Sequence, residues 1–250
     1  TMTAALDRQL VWDRGDSRRY LRVRVTAPPA ATLVARPPMN LGLALDTSGS
    51  MLGDKINELL EGVKLFYDTI DEDDDTHDSV EVSIVAFNSG ANLIQDFTGI
   101  EAIDRDLTIE PSGLTFMGEG VNLALDTLEK RKELYSSKGV LYYQPWLVLI
   151  TDGKPEGGSE QEVDRAVSRV EALVAKRKLT VFPIGVGLQP EGEKILARFS
   201  PLGRPPLRLK GLAFKEFFEW LSMSASKASQ SMPGAEPSID FGSIRGIEDL

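Results

Sequence analysis

Short, continuous apolar runs alternate along this chain with longer segments whose apolar residues recur every three or four positions. "LGLALD" (41–46) has no polar interruption before its last residue, as expected of a strand covered on both faces. "KINELLEGVKLFYDTI" then places Ile56, Leu59, Leu60, Val63, Phe66, Tyr67 and Ile70 at helical spacing. The rhythm repeats. "SVEVSIVAF" reads as a strand, and "NLIQDF" as a short one paired with it through the "NSGA" turn. "GEGVNLALDTLEKRKELY" is a long helix, "PWLVLIT" a strand, and "EQEVDRAVSRVEALVAKRK" a helix with Val163, Val167, Val170, Leu173 and Val174 on one stripe. "LTVFPIGVG" and "PLRL" are strands around the short helix "EGEKILARFS", and "AFKEFFEWLSMSASKAS" is the last helix.

Boundaries follow from the same pattern. Residues 1–38 read as an N-terminal extension: "YLRVRV" alternates apolar and basic residues, Pro28 and Pro29 end it, and "ARPPMN" is an extended linker. Residues 39–230 read as one α/β domain with right-handed crossovers. Residues 231–250 are rich in Pro, Gly and Ser and read as a flexible tail.

Composition narrows the function. The chain has 250 residues, 42% hydrophobic, enough for one substantial core. Its net charge of −10 argues against a nucleic-acid partner, which needs a basic surface. The absence of cysteine removes disulfides, thiolate metal sites and cysteine nucleophiles, and fits a reducing cytoplasm. No stretch approaches the ~20 apolar residues of a membrane span. The opening segment lacks an apolar core behind a basic end, so no signal peptide is expected.

Candidate chemistry lies where the apolar strands end, since ligands of open α/β sheets gather beyond the carboxyl ends of the strands. Asp46, Ser48 and Ser50 follow the first run; Thr151, Asp152 and Gly153 follow "PWLVLI"; Ser112, Thr115 and Glu119 stand among glycines before a helix. "DTSGS" has three readings: a helix cap, a phosphotransfer nucleophile at Asp46, or half of a metal site, with Gly49 permitting a tight bend. The oxygen inventory, free of His and Cys, suits a hard divalent cation such as Mg²⁺.

"DTSGSM", "SGLTFMG" and "ITDGKPE" together resemble the von Willebrand factor type A domain and its metal-ion-dependent adhesion site. The resemblance covers about 190 residues and implies a doubly wound, mostly parallel sheet with one short antiparallel edge strand and helices on both faces. It assigns Asp46, Ser48 and Ser50 to the first metal loop, Thr115 to the second and Asp152 to the third, holding Mg²⁺ (or Mn²⁺ or Ca²⁺). It implies a non-enzymatic adaptor whose bound ion grips an acidic residue of a protein partner. "SIVAFNSGA", "VFPIGVG" and the last helix are similar to tellurium-resistance-associated bacterial proteins, which implies a stress or conflict system and a kinase, phosphatase or ATPase partner.

Other motifs read less sharply. A phosphohydrolase using Asp46 would want an acid two residues on, where Ser48 stands. A third reading is a structural subunit with a vestigial metal site. "DEDDDTHD" fails the calcium-loop pattern, having Thr76 at the sixth position and Val82 at the twelfth. His77 is the only histidine and reads as surface. Gly185, Gly187 and Gly192 do not fit a dinucleotide fingerprint. Glu119 and Glu156 are placed to tune the site without ligating. Phe214, Phe217, Phe218, Trp220 and Leu221 read mostly as core, although five large apolar residues in eight exceed one stripe and leave room for one or two to face a partner.

Overall fold

The computed structural model describes residues 2–6, 21–25, 36–200, 205–230 and 246–249; the Pro28–Pro29 strand end and residues 231–245 of the expected tail lie outside them. Two compact units divide the chain, Thr1–Ala35 and Arg36–Leu250. In the first, β1 (Met2–Leu6) pairs antiparallel with β2 (Leu21–Val25), Met2 opposite Val25 and Leu6 opposite Leu21.

The second unit is built on one sheet. Its strands are β3 (Met39–Asp46), β4 (Val80–Phe87), β5 (Ala91–Gly99), β6 (Trp146–Thr151), β7 (Thr180–Val186), β8 (Leu207–Leu209) and β9 (Ile247–Asp249). The helices are α1 (Asp54–Asp71), α2 (Asp74–His77), α3 (Met117–Ser137), α4 (Glu160–Ala175), α5 (Pro190–Ala197) and α6 (Phe214–Ser229). Strand order is β5-β4-β3-β6-β7-β8-β9. Strands β4, β3, β6, β7 and β8 run parallel. From β3 the chain steps to β4 on one side and later resumes at β6 on the other. Strand order therefore reverses between β3 and β6, and the crevice of a doubly wound sheet opens beyond their carboxyl ends.

The continuous apolar runs are explained by cover on both faces. Leu41, Leu43 and Leu45 of β3 pack with α1 and α6 against Phe66, Phe218 and Leu221, whereas Ala44 joins Leu147 and Leu149 of β6 against Val121, Leu125 and Val167 of α3 and α4. Side chains alternate faces along a strand, so one sequence run serves two core layers. Helix α1 lies close to α6 because position 62 is glycine: a methyl there would sit 2.6 Å from Phe218 Cδ2 and 3.2 Å from Phe214 Cβ.

The mostly parallel, doubly wound sheet has its expected antiparallel edge strand, β5 against β4, and a second one, β9 against β8, at the other edge. Ile247–Asp249 thus adds a strand from within the Pro/Gly/Ser-rich tail, which was expected to be flexible. Phe214, Phe217, Phe218, Trp220 and Leu221 are all buried, as the core reading has them, and none faces outward. The helix packs on α1 and also reaches the sheet, where Trp220 meets Phe182 edge-on at 5.8 Å, so two sides of it are covered.

The "DEDDDTHD" segment forms the single turn α2. Asp73 Oδ2 accepts from Thr76 Oγ1 (2.7 Å) and from Ser226 Oγ of α6 (2.6 Å), so this carboxylate is a structural tie. His77 pairs with Asp71 and Asp78 just before β4, at the amino edge of the sheet. The eight-residue strand β4 separates that edge from the crevice, a span of roughly 25 Å. No described helix is long and apolar enough to cross a membrane.

Candidate metal centre

Strands β3 and β6 run side by side, Leu45 opposite Ile150, so the residues that follow them are neighbours although about 105 positions separate them in the chain. Asp46 is fully buried at the end of β3. Ser48 N donates back to Asp46 Oδ1 at 2.9 Å, which reverses the chain and starts the single 3-10 turn Gly49–Met51. Met51 is buried beneath it as an anchor. Gly49 itself is not among the left-handed glycines, and a methyl on it would meet Gly113 O at an ordinary 3.5 Å; the turn is made by the Asp46 carboxylate. The left-handed glycine of the site is Gly113, φ 74°, where a methyl would strike Ser89 Oγ at 2.4 Å.

Backbone hydrogen bonds lock three loops together. Gly49 N donates to Gly113 O (3.1 Å) and Ser112 N to Thr47 O (2.9 Å), joining first loop to second. Thr115 and Glu156 exchange backbone bonds of 3.0 and 3.2 Å, joining second to third. Two more glycines let α3 approach: a methyl at Gly120 would press into the Phe87 ring, and one at Gly118 would lie 2.5 Å from Val163 N.

These loops bring the expected oxygens to one place. Ser48 Oγ and Ser50 Oγ are 3.0 Å apart, and Ser50 Oγ donates to Asp152 Oδ1 at 2.6 Å. Thr115 Oγ1 lies 4.0 Å from where a methyl on Gly153 would stand, which puts it beside the residue after Asp152. Asp46, Ser48, Thr115 and Asp152 are all at most 8% exposed, while Ser50 is exposed, so the cluster opens to solvent on Ser50's side. The side chains of Glu119 and Glu156 have no contact with this cluster among the described hydrogen bonds; Glu156 contributes its backbone.

Two further residues complete the site: Thr151, read from the sequence as a candidate oxygen but given no ligand role, and Lys55, not read from the sequence at all. Thr151 donates its hydroxyl to Asp46 Oδ2 at 2.6 Å. Lys55, in the first turn of α1, makes a short ion pair with Asp152 Oδ2 and donates to Ser50 O at 3.1 Å. Thr151 was legible as a polar residue closing an apolar strand; nothing local signals the Lys55 contact.

Burial pushes the Asp46 carboxyl above the usual carboxylate range, the Thr151 and Ser48 hydrogen bonds pull the other way, and the nearby Asp152 charge adds to the rise. Among the described residues no Lys or Arg pairs with Asp46. A buried carboxylate is costly unless a cation or strong donors compensate it. The described residues contain no cluster of three or more His, Cys, Asp or Glu side chains. The donors are two carboxylates and three hydroxyls, all hard oxygens, and an ammonium already stands against one of the carboxylates. That chemistry fits a hard divalent cation and does not fit a thiolate or imidazole metal.

A sequence model of the von Willebrand factor type A domain matches residues 40–201. The chain belongs to that family. Type A domains are in general metal-dependent protein-interaction modules. The chain is 30% identical, over 178 residues, to an uncharacterized protein of Synechocystis sp.; the match covers 68% of this chain and 37% of that protein. It is similar in fold to a von Willebrand factor type A protein from Catenulispora acidiphila (TM-score 0.58, 20% identity, 77% of this chain and 43% of that one). It is similar also to the pilus adhesin SpaC from Lactobacillus rhamnosus GG in its open conformation (0.60, 15%, 84% and 32%). A third likeness is to proximal thread matrix protein 1 of the mussel byssus (0.54, 19%, 82% and 49%). The chain thus spans half or less of the length of these proteins. In this family setting the loops after β3, before α3 and after β6 are the ones that carry the cluster described above.

Proposed function

We propose that this type A domain holds one divalent cation, Mg²⁺ or Mn²⁺ ahead of Ca²⁺, among Asp46, Ser48, Ser50, Thr115 and Asp152, and grips a protein partner through it. The observation that carries the reading is the convergence of five hard oxygen donors from three loops onto one sheet edge, with only two carboxylates among them. When bound, the ion supplies an electrophilic centre able to accept an acidic side chain from the partner.

The chain's own residues divide the work. Asp46 is oriented through both oxygens, by Ser48 N and Thr151 Oγ1. Ser50 donates its hydroxyl hydrogen bond to Asp152, so its oxygen is the acceptor in the 3.0 Å contact with Ser48 and keeps one lone pair for an ion. Leu52 (70% exposed) and Leu114 (45%) lie two residues from Ser50 and one from Thr115 in the chain; exposed apolar residues on the loops that carry the site favour a partner whose acidic residue is flanked by apolar ones. A cytoplasmic kinase, phosphatase or ATPase in a stress system is the partner class that the resemblance to tellurium-resistance-associated proteins supports. A phosphohydrolase is disfavoured because Ser48 occupies the place of the acid.

The test is a titration of the full chain with Mn²⁺ by calorimetry, beside Asp46→Ala. One site in the wild type and none in a folded variant is expected. Equal binding by both proteins would refute the assignment.

A further inference from the structure

Lys55 stands where its charge is disfavoured. The first turn of a helix presents unsatisfied N–H groups and the positive end of the macrodipole, a place for acids such as the preceding Asp54. Its side chain instead turns back over the first loop to two acceptors, the Ser50 carbonyl and the Asp152 carboxylate. The Asp152 side chain is fully buried and the Lys55 side chain only 34% exposed. This is unlike the exposed Lys154–Glu191 and Lys215–Glu61 pairs elsewhere on the surface. Asp152 Oδ1 accepts from the Ser50 hydroxyl and Oδ2 accepts from the Lys55 ammonium, so the pair links the loops that carry the two ends of the oxygen cluster, 97 residues apart.

We infer that Lys55 is a tethered counter-cation of the metal centre, resting on the reading that this centre takes a divalent ion. Without an ion it neutralises Asp152 and holds the first and third loops in register. With one it competes for Asp152's charge and weakens the hold on the metal. It also fixes the net charge. Two carboxylates and one ammonium leave one negative charge, which a divalent ion converts to one positive charge. With Lys55 neutral, the same site would be uncharged when loaded. The lysine therefore exchanges metal affinity for attraction toward an anionic ligand, a selectivity role that direct ligands alone do not set.

Lys55→Gln tests this in the full chain, with Mn²⁺ as the probe, calorimetry for affinity and circular dichroism for folding. The variant is expected to bind Mn²⁺ on the order of tenfold more tightly and to melt at a lower temperature without metal, and Lys55→Arg is expected to restore the wild-type affinity. Mn²⁺ uptake by Lys55→Gln alone would support the inference in its strongest form, with the lysine blocking the site. Equal or weaker binding by Lys55→Gln beside a binding wild type would overturn the role of Lys55 and leave the metal site standing. No uptake by either folded protein would overturn both.

Discussion

Replacing Thr151 with Val deletes one hydroxyl and keeps the shape of the last β6 side chain. That hydroxyl has a single proton, and the 2.6 Å contact with Asp46 Oδ2 is its shortest, against 3.2 Å to Gly153 O. Asp46 is fully buried, so water does not replace the lost donor. A hydrogen bond to a charged group contributes about 1.5–3 kcal/mol. In a chain of this size each kcal/mol moves the melting temperature by roughly 2–4 °C. The metal-free variant is expected near the low end of the resulting range, a fall of about 3–6 °C, because Asp46, with its carboxyl already pushed up by burial, can relieve the loss by taking a proton. Metal binding has no such escape, since the carboxylate must be ionised and aimed. Loss of an orienting partner typically costs 10–100-fold in metal affinity. Mn²⁺ titration of wild type, Thr151→Val and Thr151→Ser, with melting curves of each, is the assay. Thr151→Ser keeps the donor and should stay close to wild type. If Thr151→Val binds Mn²⁺ within about twofold of wild type while folded, the hydroxyl does not position a ligand and the argument for Asp46 fails with it.

Two further predictions probe the packing of α3, beside the site and at the opposite end of the sheet. Gly118→Ala places a methyl 2.5 Å from Val163 N and 2.6 Å from Glu162 C, backbone atoms that cannot rotate away; the cost is expected at about 1–3 kcal/mol, and an unchanged melting temperature would refute the close approach of α3 to α4. Tyr135 is held up to about 12 by burial, and by donating its hydroxyl to Glu81 Oε2. Its folded value exceeds its unfolded value of 10.0, so its stabilisation is fully present below pH 10 and is lost as pH rises toward 12. Urea denaturation should show Tyr135→Phe weaker than wild type by about 1–3 kcal/mol at pH 7, with the gap closing across pH 10–12; a gap constant with pH would refute the coupling.

The layers of the fold were legible because burial on both faces leaves a mark in every residue of a strand. "LGLALD" and "PWLVLI" have no polar face, and only a sheet sandwiched between helices accommodates that. The positions of Asp46 and Asp152 followed, since each closes such a run. The remainder depended on partners distant in the chain. Lys55 reads locally as one more exposed helix charge, and its meaning comes from a carboxylate 97 residues away. Gly49 looks like the hinge of the first loop, yet the left-handed backbone is at Gly113, where Ser89 of another segment also leaves no room for a side chain. Strand β9 has three residues, too few for an alternation signal, and exists because β8 leaves an edge to pair. The aromatic residues of α6 read mostly as core, and their excess over one stripe is explained because α1 and the sheet both claim them.

On the proposed function, the chain's net charge of −10 bears on how the site would select a partner. An acidic protein repels an acidic partner at long range, and the single positive charge of a loaded centre is screened within about 8 Å at physiological salt. Attraction through the ion therefore acts only after the surfaces are nearly in contact. Selection must rest on short-range terms, and the site and its loops supply two: the exposed Leu52 and Leu114, which gain by being covered, and the ion's demand for one hard anionic ligand. Lys55 strengthens the second term by keeping the loaded centre positive. A partner offering charge alone is repelled before it arrives, and one offering apolar surface alone leaves the centre's positive charge unpaired and partly desolvated. Only a partner presenting both in the right spacing gains from contact, which makes the metal a gate on specificity as much as a source of affinity.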